Sequence, residues 1–405
     1  MRIYPLLLLA VALGCAPPPV DAPGDREAYL HDREARRAAL EAALWRPDLP
    51  YSQSLLTSYA LPVGGWDLLP VFASPVAPFR VADGDALAAG GALDLADGQA
   101  LVPATLPTDE TGWRALGAEV FNRLPMRADR YLDWLAARPE RWAEVGIVPR
   151  ADGTVRGLVR FADADGAVRV GMTCAFCHGA DETPGRGDRR LNLGLARALF
   201  AEARGQAPTD AIPAALRAWG EGQVDVTDGA LDNPTRIPDL VGLAQARFIN
   251  HSGVIRVAGR TTFAVRFETQ YILGHRMARR PDRALTWALA TYVTGLEAPT
   301  PTDPPAAGAA LFARRCGGCH DAAQGYGGGL VPASALASDP AVAFDPERGT
   351  GAYRVPRLLG IAGRAPYLHD GSAPTLEALL ADGHPAGLPL DAADQATLIE
   401  FLNTL

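Results

Sequence analysis

The sequence predicts a mainly α-helical protein of two domains, each organised around one Cys-x-x-Cys-His pentapeptide. Three observations carry this. Apolar residues recur at helical spacing in stretches spread from residue 25 to residue 404. The pentapeptides Cys174-Ala-Phe-Cys177-His178 and Cys316-Gly-Gly-Cys319-His320 lie far apart in the chain. Between them runs Glu297-Ala-Pro-Thr-Pro-Thr-Asp-Pro-Pro-Ala306, a proline-rich linker. The 405 residues, 48% hydrophobic and 21% charged, describe a globular chain with room for two or three modest domains. All 38 basic residues are arginine, against 46 acidic ones. The net charge of −8 excludes a protein that neutralises nucleic-acid phosphates with a basic surface.

Met1-Arg2 and the apolar run Ile3–Leu13 have the charged start and apolar middle of a signal peptide. The run is too short to span a bilayer, which takes about 20 residues. It ends Val11-Ala12-Leu13-Gly14-Cys15, which resembles a bacterial lipoprotein box with Cys15 as the lipidated residue. Residues 1–15 are thus read as a leader and 16–24, rich in Pro, as a semi-rigid tether. The alternative is a plain secretory signal cut near Ala16, which would discard Cys15.

Residues 25–110 form an N-terminal extension, with one helix over 25–46 and an irregular, loop-rich remainder over 47–110. The first domain, 111–297, opens with amphipathic helices over 112–144. A small β-hairpin from Leu158 to Val170 follows, turning at Asp163-Ala-Asp-Gly166, and leads into Cys174. Further helices are expected over 190–204 and 282–296. After the linker at 298–306, the second domain, 307–405, has a helix over 306–316 and a closing helix over 391–404.

Cys-x-x-Cys-His is the attachment signature of c-type haem. Two thiols one helical turn apart can add to the two porphyrin vinyl groups, and the adjacent histidine then lies under the iron as its proximal ligand. A zinc site would need the two cysteine pairs close together. A thioredoxin-like dithiol has no reason to carry a histidine beside it twice. Two covalent haems c are expected, one on Cys174, Cys177 and His178, the other on Cys316, Cys319 and His320. Export to the periplasm, where bacterial haem c is attached, agrees with this.

The segment Gly308-Ala-Ala-Leu311-Phe312, just before Cys316, resembles the first helix of a class I cytochrome c, where a glycine and an aromatic cross the closing helix. Leu398, Phe401 and Leu402 supply the other side of that crossing. Gly117-Ala-Glu-Val120-Phe121 echoes the same pattern, so the first domain reads as a related unit elaborated before its cysteines. The fold class is therefore two cytochrome c-like haem domains. Tyr353-Arg-Val355-Pro356-Arg-Leu358, Ala365-Pro366-Tyr367-Leu-His369-Asp370-Gly371-Ser372 and Thr375-Leu376-Glu377 resemble the C-terminal domain of the bacterial dihaem cytochrome c peroxidase and MauG family. That resemblance implies one haem that takes in electrons and another, with an openable distal side, that reacts with peroxide.

Sixth ligands are scarce. No methionine follows Cys319, so the second haem cannot take one from its own domain. His384, shortly after the Thr-Leu-Glu element, is the leading candidate, and His369 the alternative, which the resemblance places as a structural residue. For the first haem the candidates are His275, Met277 and His251, with an open iron as the remaining case. Trp219 is read as core more readily than as a bridge between haems. Arg236 is a candidate propionate partner, and Asp225, Asp228 and Asp232 lack the spacing of a calcium loop.

Two functions follow. The first is a periplasm-facing dihaem cytochrome that exchanges electrons with a redox protein donor or acceptor and is held on the membrane through lipidated Cys15. The second is a haem oxidoreductase, peroxidase-like or oxygen-activating, with an open first iron. The lipoprotein reading has its own check: labelled palmitate should enter the protein and not Cys15→Ser, and the variant should be released from membranes without detergent. Equal release of both forms favours the plain signal peptide.

Overall fold

The computed structural model describes residues 21–22, 24–225, 231, 233–384 and 389–405. The leader, Cys15 and nearly all of the tether lie outside the described residues, as do Asp228 and Asp232. The described chain is mainly helical with small antiparallel sheets. None of its helices is long and apolar enough to cross a membrane.

The N-terminal extension is more regular than its sequence signalled. The single helix expected over 25–46 is two, α1 (Asp25–His31) and α2 (Arg33–Ala43). The break falls at Asp32, whose carboxylate accepts the N–H groups of Glu34 at 2.8 Å and Ala35 at 3.2 Å and so starts a second helix. The stretch expected to be irregular contains α3 (Pro50–Ala60), begun by Pro50 in its first turn, β1 (Val76–Arg80) and α4 (Val81–Ala88).

In the first domain α5 (Glu110–Arg123) and α6 (Arg130–Ala136) precede the hairpin, β2 (Thr154–Ala162) and β3 (Val168–Met172). The hairpin turns where expected, but β1 pairs with β2 to make a three-stranded sheet in the order β1-β2-β3. Then come α7 (Cys174–His178), α8 (Leu193–Ala203), α9 (Ala211–Ala218) and two short pairs, β4 (Gln223–Val224) with β5 (Thr235–Arg236) and β6 (Phe248–Ile249) with β7 (Ile255–Arg256). The domain closes with α10 (Arg260–Gly274) and α11 (Arg283–Thr294). The second domain holds α12 (Ala306–Arg315), β8 (Leu330–Pro332) paired with β9 (Ala352–Arg354), α13 (Leu376–Ala381) and α14 (Ala392–Leu402).

The extension is welded to the first domain. Asp67 takes charge-assisted hydrogen bonds from Arg36 of α2, at 2.9 Å, and from Arg283 of α11. Arg283 also reaches Glu268 of α10 at 3.1 Å, and the Tyr29 hydroxyl of α1 donates to Glu268 at 3.0 Å. Arg36, Arg283 and Glu268 are buried, so each charge depends on the others to remain out of water. The apolar residues of α1, α2 and α3 share one core with those of α5, α10 and α11.

Both domains use the same helix crossing. Gly117 of α5 lies against α11 so closely that a Cβ there would sit 2.0 Å from the Ala288 carbonyl oxygen and 2.5 Å from Tyr292 Cβ. Gly308 of α12 lies against α14, where a Cβ would sit 2.6 Å from Phe401 Cβ. Four residues on, one helical turn along the same face, Phe121 meets Tyr292 with ring centroids 5.4 Å apart, and Phe312 meets Phe401 at 5.1 Å. Gly117→Ala and Gly308→Ala should each lower stability by about 1–3 kcal/mol, the usual cost of overpacking a tight contact. Denaturant unfolding checks this, and Gly329→Ala, where nothing lies within 4 Å and the backbone is not left-handed, controls for the glycine change alone.

Candidate haem sites

The first motif forms the short helix α7 at the end of β3. β2 presses on it: Gly157, at φ +70, accepts the Thr173 N–H at 2.8 Å, and a Cβ on it would fall 2.1 Å from the Phe176 nitrogen. Only glycine serves there, both for the backbone angle and for the close approach. The loop after α7 folds back over it, with Gly185 N–H donating to the His178 carbonyl at 2.7 Å and Asp188 N–H to the Cys177 carbonyl at 2.8 Å. His178 Nδ1 donates to the Pro238 carbonyl at 3.0 Å, which fixes the ring and leaves Nε2 as the free nitrogen. Burial holds the His178 ring neutral, its pKa pushed down to about 4.

In the second motif α12 ends at Arg315 and the chain turns tightly, Cys319 N–H and His320 N–H both donating to the Cys316 carbonyl, at 3.1 and 2.9 Å. His320 Nδ1 donates to the Tyr326 carbonyl at 2.7 Å. The two cysteine pairs belong to separate sites. Among the described residues no cluster of three His, Cys, Asp or Glu side chains could hold a metal ion. Burial pushes the thiols of Cys174 and Cys177 up to about 12 and that of Cys316 up to about 11. A thioredoxin-like nucleophile needs the opposite shift, so the redox-dithiol alternative has no support here.

Cys316, Cys319 and His320 line a cavity of about 300 Å³. His384 lines it too, close enough that charge on His320 acts on it. Burial and that charge push the His384 pKa down to about 4. Its Nδ1 is buried without a hydrogen-bond partner. An imidazole held neutral and left unpartnered beside a second imidazole is suited to binding a metal. His369, the alternative ligand, is engaged otherwise: its ring stacks on Tyr353 at 4.3 Å, and its Nε2 lies 3.2 Å from the Tyr353 hydroxyl.

The cavity also carries a group of arginines. Arg236, Arg354 and Arg357 line it, each with its pKa pushed down to about 10, by burial first. Arg354 meets the charge of another cation, Arg364, and the Nε atoms of Arg236 and Arg354 have no hydrogen-bond partner. Buried guanidinium groups demand anions. Haem propionates are such anions, and the surrounding Phe312, Leu336, Leu376 and Leu380 suit a porphyrin face. The residues present therefore fit a haem. Arg354, Arg357 and Arg364 were not singled out from sequence, because nothing in a run such as Tyr353-Arg-Val-Pro-Arg357 marks its arginines as buried.

The residues weighed as a sixth ligand at the first site have contacts of their own. His275 Nε2 donates to the Pro125 carbonyl at 2.6 Å, and its ring stacks on Tyr271 at 4.2 Å and meets Phe161 edge-on. It caps α10 inside the core. Met277 packs against that same core. His251 Nε2 lies 3.1 Å from the Arg236 carbonyl, and its ring faces the second cavity. Trp219 is core, packed with Ala198 and Leu216.

Residues 352–384 match the RoxA-like, cytochrome c-like family. The second domain is cytochrome c-like. Together with the two attachment motifs this supports a c-type cytochrome, a coarser assignment than the peroxidase and MauG family that the sequence resembles. No curated protein matches the chain. Among solved structures the chain is similar to a chain of Kuenenia stuttgartiensis hydrazine synthase, at 19% identity and a TM-score of 0.33, over 47% of this chain and 78% of that one. That likeness is too distant to carry structural meaning.

Haem content tests the attachment sites. Pyridine haemochrome analysis should give two covalent haems per chain, and Cys174→Ser or Cys316→Ser should remove covalent attachment at its own site only. A preparation that binds zinc and no haem would overturn both assignments.

Proposed function

We propose that this chain is an exported, periplasm-facing dihaem c-type cytochrome, tethered through Cys15, that passes electrons between two covalently held haems and a redox protein partner. In this reading Cys174 and Cys177 hold the first haem, with His178 as proximal ligand. Cys316 and Cys319 hold the second, with His320 and His384 as its axial pair. The observation that carries the reading is the placement of His384: half-buried, its Nδ1 buried and without a hydrogen-bond partner, and sharing a cavity with His320. When bound, haem supplies a one-electron couple. The chain supplies the rest. His178 and His320 are oriented through carbonyls, the leucine and phenylalanine walls exclude water, and Arg236, Arg354 and Arg357 neutralise propionate charge.

Two imidazoles favour ferric iron more than an imidazole and a thioether do, so the second haem is expected at a low potential for a c-type cytochrome. It should be low-spin in the ferric state and lack the sulfur-to-iron charge-transfer band. His384→Ala should convert it to a high-spin form open to small ligands, and His384→Met should raise its potential. A low-spin second haem that survives His384→Ala overturns the assignment.

The second reading, an oxidoreductase with an open first iron, is favoured by one observation. The Nε2 atoms of His275 and His251 are each engaged with a backbone carbonyl. A high-spin EPR signal from the unmutated protein, assigned to the Cys174–His178 haem, would decide for it.

A further inference from the structure

One dipeptide touches both haem sites. The Pro238 carbonyl accepts the Nδ1–H of His178 at 3.0 Å. Pro238 and Asp239 also line the cavity that contains Cys316, Cys319 and His320. A proximal ligand of one site is thus one hydrogen bond from the wall of the other.

Asp239 holds this junction together. Its side chain is only 8% exposed. The carboxylate accepts the Gly187 N–H at 2.7 Å and pairs with Arg189 of the first domain at 3.3 Å. It also pairs with Arg364 of the second domain at 3.0 Å. Asp239 directly follows Pro238, whose carbonyl holds the His178 ring. Trp219, the aromatic alternative for a bridge, is buried in a small cluster with Ala198 and Leu216.

We propose that Pro238-Asp239 is the electron bridge between the two haem sites, and that Asp239 is the positioning residue that sets its geometry and its electrical bias. With a haem held at each site, the exchange would be a single electron passing from the reduced site to the oxidised one, with no bond formed or broken and no proton moved. Pro238 contributes the path, through His178 and its hydrogen bond. Asp239 contributes the anchoring of Arg364, which fixes the second domain against that path. Its negative charge, one residue from the carbonyl that holds His178, would favour the oxidised state of a haem held there. This inference rests on the dihaem reading above.

The test uses the full holoprotein and two variants whose effects have opposite sign. Asp239→Asn keeps the size of the side chain and an acceptor for Gly187, but removes the charge. It should shift the first haem toward ferrous by about tenfold at fixed potential, ~59 mV for a one-electron couple, and slow transfer between the haems. Asp239→Glu should restore the potential. Arg364→Gln leaves the carboxylate less compensated and should move the first haem the other way, again with slower transfer. Spectroelectrochemical titration reads the potentials, and pulse radiolysis reads the transfer. A merely structural role for Asp239 would not give shifts of opposite sign. Two haems with potentials and transfer rate unmoved in both variants, or moved in the same direction, overturn the inference alone. Fewer than two haems in the unmutated protein overturn the dihaem reading itself.

Discussion

The fold depends on one repeated contact, a glycine on the first helix of each domain seated against an aromatic residue of the last. Gly117 lets α5 reach the backbone of α11, and Gly308 lets α12 reach Phe401 of α14. The aromatic four residues later then closes the crossing, Phe121 on Tyr292 and Phe312 on Phe401. This packing fixes the direction in which each first helix points. In the second domain that helix ends at Arg315, so the crossing aims Cys316 directly into its cavity. In the first domain the chain detours through α6 and the β2–β3 hairpin, and Gly157 brings the cysteine helix back against the core. The same crossing therefore serves two different routes to a Cys-x-x-Cys-His turn.

The second constraint is electrostatic. Several arginines are drawn into a largely apolar cavity, and Asp239 is the carboxylate that meets two of the guanidinium groups around it, Arg189 and Arg364. Arg354 is left facing another cation, an arrangement that costs several kcal/mol per ion unless a counter-charge enters. A protein that paid this with nothing in return would be unstable. A doubly anionic, flat, apolar ligand meets each demand of the cavity: charge at one edge, dispersion contacts across its faces, and two neutral imidazoles for its metal.

Much of this was legible in sequence, for a physical reason: the signals are local. Helical spacing marked α5, α8, α11, α12 and α14 because an amphipathic face is written in nearest turns. The hairpin was marked by alternation around Asp163-Ala-Asp-Gly166, and the attachment turns by their own five residues. What stayed hidden was long-range. β1 pairs with β2 across some eighty positions of chain, and no pattern within Val76–Arg80 names its partner. α10 was missed since its buried apolar residues, Phe263, Ala264, Val265, Tyr271 and Ile272, are interrupted by Thr262, Glu268 and Thr269, which find partners or places only in the assembled core. His275 illustrates the same limit. Its position before a closing helix suited an axial ligand, but the carbonyl of Pro125, far away in the chain, takes its Nε2.

The contact between the domains explains why the two sites can act as a unit. It is made of directed bonds rather than of a greasy patch. Arg236 N–H donates to the His369 carbonyl at 2.8 Å, Arg236 Nη2 to the Arg364 carbonyl at 2.7 Å, and Arg354 N–H to the His251 carbonyl at 3.0 Å. Such bonds have fixed lengths and angles, so they set one separation where an apolar interface would tolerate sliding. Electron transfer falls steeply with distance, and a fixed separation is what it requires. All five residues of these bonds, Arg236, His251, Arg354, Arg364 and His369, also line the second cavity. A ligand that neutralises those arginines removes the repulsion that opposes domain docking.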